Sequence, residues 1–149
     1  MSTIPAVLER LVTIFGTAAP DARVDDGPVS NLVEVNEDGT DLGIVVGWSE
    51  SGAVLEADID LESGVGDRRE MYRVNCLLAA SSGDSDTKAL RALVFTTYTA
   101  LVAGLKSEHP ISQGVLRAYM DIIDYSAYPA TTGMAVNLRF SVFVDAFDR

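Results

Sequence analysis

The amino-acid order predicts an α+β fold, a mostly antiparallel sheet with two helices packed on one face. Two stretches carry apolar residues at helical spacing, one near the start and one in the second half. Between and after them lie runs with period-two alternation, joined by short turns rich in Gly and Ser. Nothing resembling a linker or a repeat interrupts the chain, so residues 1–149 read as one domain.

The first helix is predicted over 4–17. Ile4, Val7, Leu8, Leu11, Val12 and Phe15 form one apolar stripe. Thr3 suits the N-cap, Pro5 sits where a missing N–H does no harm, and Gly16 and Pro20 end the helix. The acidic, turn-rich stretch 21–42 follows, with short strands expected around Arg23–Asp25 and Leu32–Val35. Residues 43–80 read as a three-stranded meander. Its first strand is Ile44-Val45-Val46-Gly47-Trp48, and Ser49-Glu50-Ser51-Gly52 is its first turn. In the second strand Ala53, Leu55, Ala57, Ile59 and Leu61 alternate with Glu56, Asp58, Asp60 and Glu62, the signature of a half-buried strand. After the turn 63–67, Tyr72, Val74, Cys76, Leu78 and Ala80 share a face of the third strand. Burial of one face should set that hairpin's register, with Ile59 opposite Tyr72, Asp58 opposite Arg73 and Glu62 opposite Arg69.

The long helix is predicted over 86–106. Asp86 is its N-cap, Leu90, Leu93, Val94, Thr97, Leu101 and Leu105 are its stripe, Lys106 sits in the last turn, and Pro110 lies beyond. A final hairpin spans 115–147 around a link at 126–133, with Ile122 opposite Leu138, Met120 opposite Phe140 and Asp121 opposite Arg139. The link leaves room for a bulge.

Charge is the most uneven property of the chain. The net charge is −11, and residues 21–62 alone hold twelve acids and one base, Arg23. The remainder balances, with ten of each sign. Such a field repels nucleic acid and anionic membrane, or simply aids solubility. No apolar run approaches the ~20 residues of a membrane helix, and the N-terminus carries no secretory pattern.

Groups for catalysis are few, and an enzyme is not expected. His109 is the sole histidine and flanks a helix end, so a histidine-rich metal site is ruled out. Cys76 falls on an apolar strand face, where a buried structural thiol is expected. Asp84-Ser85-Asp86 lacks the further ligands of a calcium loop and reads as helix capping. Gly64-Val65-Gly66 opens a strand rather than a helix, so it is no phosphate loop. No cofactor, metal or catalytic residue is assigned.

Several stretches, taken in order, carry a family resemblance. They are Ile4-Pro5-Ala6-Val7-Leu8, Asp26-Gly27-Pro28, Ile44-Val45-Val46-Gly47, Tyr72-Arg73-Val74-Asn75-Cys76, Ser82-Gly83-Asp84 before an Ala/Leu/Arg helix, and a C-terminal strand behind Gly133. Together the chain resembles the tail-terminator (tail-completion) proteins of long-tailed actinobacterial phages and prophages. Asp86-Thr87 stands where that family often has Asp-Pro. The resemblance implies a structural virion protein, assembled in the host cytoplasm as a ring, usually six-fold. Such a ring caps the tail tube, joins it to the head connector or stopper protein, and passes DNA through its bore. A head-closure stopper, a tube subunit and a cytosolic ligand-binding domain are the alternative readings. Self-association is expected through strand edges, with Trp48, Val54 and Arg68 of the 48–70 arm as candidate interface residues. Glu56, Asp58, Asp60 and Glu62 form a polar face that would line the bore or meet outer solvent.

Overall fold

A computed structural model describes residues 2–27, 40–48, 52–60, 68–83, 86–130 and 133–148. Eight elements follow one another: α1 (Ile4–Ala18), β1 (Arg23–Asp26), β2 (Thr40–Val46), β3 (Leu55–Asp60), β4 (Arg68–Ser82), α2 (Thr87–Ser107), β5 (Val115–Ala130) and β6 (Gly133–Asp148). The six strands form one sheet in the order β1-β2-β4-β6-β5, with β3 also on β4. Every pairing is antiparallel except β1 with β2. The α+β class and the mostly antiparallel sheet stand as predicted.

Both helices lie on one face. α1 buries Val7, Leu11, Ile14 and Phe15, and α2 buries Leu90, Val94, Thr97, Leu101 and Leu105. They meet the inward rows Tyr72, Val74, Cys76, Leu78 and Ala80 of β4 and Val136, Leu138, Phe140, Val142 and Val144 of β6. Phe140 sits at the centre, edge-on to both Phe15 and Tyr98 at 5.9 and 5.7 Å between centroids. Asp86 caps α2, accepting from the Ala89 N–H at 3.0 Å.

Thr3 does not cap α1 with its own side chain. The buried Glu70 of β4 takes that place, accepting from Thr3 N–H at 3.3 Å, Thr3 Oγ1 at 3.2 Å and Ser2 Oγ at 3.0 Å. Thr3 Oγ1 also shares a hydrogen bond with the Tyr72 hydroxyl at 3.0 Å. A carboxylate at a helix N-terminus is favoured by the peptide dipoles, so burying Glu70 there costs less than elsewhere.

The predicted three-stranded meander is corrected. β2 and β3 do not pair with each other; both lie along the same edge of β4, end to end. Val46 faces Cys76 and Leu55 faces Val74, so on β4 Asn75 alone separates the two ladders. Asn75 closes this joint. Its carbonyl accepts from Gly47 and Trp48, and its N–H and side-chain amide donate to Val54 O and Ala53 O. The strands on either side of the predicted turn at 49–52 do not form a hairpin, and residues 49–51 lie outside the described residues.

Both predicted registers shift by two residues. Glu56, not Asp58, faces Arg73, and Ala57, not Ile59, faces Tyr72. Ile122 faces Phe140, Met120 faces Val142, and Asp121 faces Ser141 rather than Arg139. An even shift leaves the side chains of β3 and of 118–122 on their predicted faces, so burial alone cannot separate the two registers there. Irregularities at 115–117 and 122–124 then bring Asp124, not Asp121, opposite Arg139. The link at 126–133 is largely strand, with Pro129 tolerated on an edge strand. The expected strand at 32–35, the turn 63–67 and Glu62 lie outside the described residues.

Candidate assembly surface

The sheet face away from the helices is built from alternate residues of the same strands. Four arginines stand on it, each within ion-pair distance of a carboxylate. Arg69 grips Asp145 with two bonds, from Nε at 3.0 Å and Nη2 at 2.9 Å. Arg73 reaches Asp121 at 3.1 Å, and Arg139 holds Asp124 through Nε at 2.8 Å and also through Nη2. Arg117 stands 3.9 Å from Asp145, whose nearer contacts belong to Arg69. Aromatic rings fill the gaps, with Arg73 5.4 Å from the Phe143 centroid and Arg117 5.7 Å from both Tyr119 and Phe143. The hydrogen bonds from Arg69 hold the Asp145 carboxyl below the usual carboxylate range, against an opposing effect of burial.

Further along that face Val45, Leu77 and Ala79 form a small apolar cluster, and Trp48 packs on it. Val54 lies over Gly47, where an added Cβ would come within 2.8 Å of its Cγ1. Trp48 and Val54 therefore cover the outer face at the joint, each half-buried. Arg68 begins β4, opposite Asp148. Glu56 is exposed on this face, and Asp58 and Asp60 follow it at the same parity of the β3 ladder, opposite Met71 and Arg69.

The feature absent from the predicted interface is β5. It is an edge strand, and among the described residues all five exposed large apolar side chains belong to it: Leu116, Tyr119, Ile122, Ile123 and Tyr128, between 39% and 52% exposed. The sequence held one signal for this. Leu116, Met120 and Ile122 fall on one parity and Tyr119, Ile123 and Tyr125 on the other, so the strand is apolar on both sides. An edge strand with two apolar sides and open backbone groups is a template for pairing with another chain.

The remaining chemistry lies apart. Cys76 is buried in the core under the helices, and burial pushes its thiol up to about 12. His109 is exposed beyond the end of α2. Among the described residues no three His, Cys, Asp or Glu side chains cluster to hold a metal. A groove of about 470 Å³ runs between α1 and α2, lined by Arg10, Ile14, Ala18, Ala103, Gly104 and Glu108. A second, of about 590 Å³, lies between the N-terminus of α1 and the start of β5, beside Pro110, Leu116 and Phe147. Among the described residues no helix is long and apolar enough to cross a membrane.

No protein-family model matches the chain, and no curated protein does. Among solved structures, a chain from the virion of a native gene transfer agent particle is similar, with a TM-score of 0.43 and 15% identity. The match covers 94% of this chain and 92% of that one. Similarity at that level assigns neither a family nor a role.

Proposed function

We propose that this chain is a ring-forming structural protein of a tailed-phage particle, of the tail-terminator type. In this role it caps the finished tail tube and joins it to the head connector or stopper protein. The observation that carries the reading is the concentration of exposed apolar side chains on the edge strand β5. That pattern suits a protein that completes its surface with neighbours, whereas a ligand-binding domain concentrates its apolar surface in a pocket. Placement at the tail end rests on the sequence resemblance described above.

With helices on one face of the sheet, a ring that turns its helices outward presents the Glu56 face to the bore. That wall is mixed in sign rather than uniformly acidic, because Arg69, Arg73, Arg117 and Arg139 share it. Arginines engaged by carboxylates neutralise few phosphates and so release few of the counterions condensed on DNA, and DNA passes without being held.

Negative-stain microscopy of the purified protein, alone and with tail tubes of the same particle, tests the reading. Rings, or tubes capped at one end, are expected; a monomer that leaves tubes uncapped and growing overturns it. If Glu56, Asp58 and Asp60 line the bore, rings carrying the uncharged replacements Asp58→Asn and Asp60→Asn gain DNA binding. Unchanged binding removes the bore assignment.

A further inference from the structure

The ladders place one row of residues across four strands. Leu55, Val74, Val142 and Met120 are neighbours in series, as are Glu56, Arg73, Phe143 and Tyr119, and Asp58, Met71, Asp145 and Arg117. At this level the sheet is β3-β4-β6-β5, alternating in direction throughout, so its two outer strands run opposite ways. Among the described residues no strand pairs with the outer edge of β3 or of β5. A copy rotated about an axis along the strands keeps its strand directions. Its β3 then meets β5 of the first copy antiparallel.

We propose that β5 of one copy pairs antiparallel with the outer edge of β3 of the next, so that the ring is closed by one sheet running through every subunit. The proposal rests on the ring reading above and names its seam. Both sides of the strands match. With Arg117 opposite Asp58, Met120 and Ala118 on the helix side lie opposite Leu55 and Ala57, apolar against apolar. On the other side Arg117, whose side chain is 62% exposed, meets the acidic positions of β3.

Charge makes this seam tolerant as well as complementary. Closing a sheet into a ring staggers its strands, and a stagger of two residues keeps each face apolar or polar as before. Glu56, Asp58 and Asp60 occupy successive positions on that face, so Arg117 faces a carboxylate in any of three even registers. A slip of one residue would set it against an apolar position. Across those registers β3 lies opposite 113–118, 115–120 or 117–122, so Leu116, Tyr119 and Ile122 are the exposed large apolar side chains that reach the seam. Contacts that differ on the two partners form rings when the rotation closes, whereas β5 paired with itself about a two-fold stops at a dimer.

Cysteine cross-linking in the full chain tests the seam. Residues opposite each other in an antiparallel pair lie ~4.5–5.5 Å apart at Cα, within disulfide reach. Three double variants combine Arg117→Cys with Glu56→Cys, Asp58→Cys or Asp60→Cys. Mild oxidation is expected to give a ladder of covalent oligomers from at least one, and monomers from every single variant. Wild-type rings with no ladder from any pair overturn the seam while leaving the ring reading intact. A covalent dimer from Tyr119→Cys alone, without ladders, also overturns it and points to the two-fold pairing. A wild-type chain that forms no ring, with or without tubes, overturns both. As a second measure, Arg117→Glu should abolish rings and the further changes Glu56→Lys, Asp58→Lys and Asp60→Lys should restore them, with the circular dichroism of the wild type throughout. Rings that survive Arg117→Glu unaltered count against the seam.

Discussion

Replacing Asp145 with Asn should weaken the fold at neutral pH and weaken it progressively less in acid. Asp145 is only 5% exposed and receives two hydrogen bonds from Arg69. The amide keeps the shape and one acceptor but loses the charge and turns an NH2 toward the guanidinium. Hydrogen bonds to charged groups are worth ~1.5–3 kcal/mol. The Arg69 side chain is 36% exposed, so water replaces part of what is lost, and a cost of ~1–2 kcal/mol is expected. The pH dependence follows from the direction of the shift. The folded carboxyl titrates below its unfolded value of ~3.9, so its contribution is complete above ~pH 5 and fades as pH falls through both values. Urea unfolding followed by circular dichroism, at pH 7 and at about pH 3, measures the gap between wild type and variant. The gap should shrink in acid because protonation disarms the wild-type pair as well. An equal gap at both pH values, or none at neutral pH, would refute the electrostatic account of this contact.

Three other outcomes are expected. Phe140→Ala removes a fully buried ring that touches Phe15 and Tyr98; it should cost ~3–5 kcal/mol and lower the calorimetric midpoint by roughly 6–20 °C. Gly114→Ala should destabilise by more than ~1 kcal/mol, because the residue has φ +87° and an added Cβ would lie 2.7 Å from Phe147 O. Gly83→Ala, with open space around it, is the near-neutral control in the same urea titration. The Cys76 thiol, fully buried and pushed up to about 12, should resist thiol reagents in the native protein and react at the unfolding rate; rapid labelling of folded protein would contradict its place in the core.

What the amino-acid order revealed was periodicity, and what it hid was relation between distant segments. The stripes of α1 and α2 and the inward rows of β4 and β6 follow from one-dimensional spacing, so the helices and strand faces could be read directly. Registers could not. Arg73 accepts Glu56 or Asp58 as an opposite neighbour equally well on chemical grounds, and a two-residue shift changes no side chain's face. Nothing local says that after β2 the chain returns, in β3, to the strand edge it has just left. For the assembly surface, the acids of β3 were legible as a row. Arg117 and the two-sided apolarity of β5 gained meaning only when the topology put that strand at an edge.

The joint at Asn75 also bears on how the chain can be altered. Two strands that share one edge of β4 normally constrain each other through the residues between them. Here Asn75 bonds to Gly47, Trp48, Ala53 and Val54 at the two strand ends, and β2 and β3 each hold their register by their own ladder. Extra residues inserted between Trp48 and Gly52 are therefore expected to leave both ladders intact and to cost only the slow growth of loop entropy. That makes the joint a natural place to splice in a short tag or a fluorophore-bearing peptide. A label carried there would follow the protein from synthesis to particle without touching β5, the helices or either end of the chain.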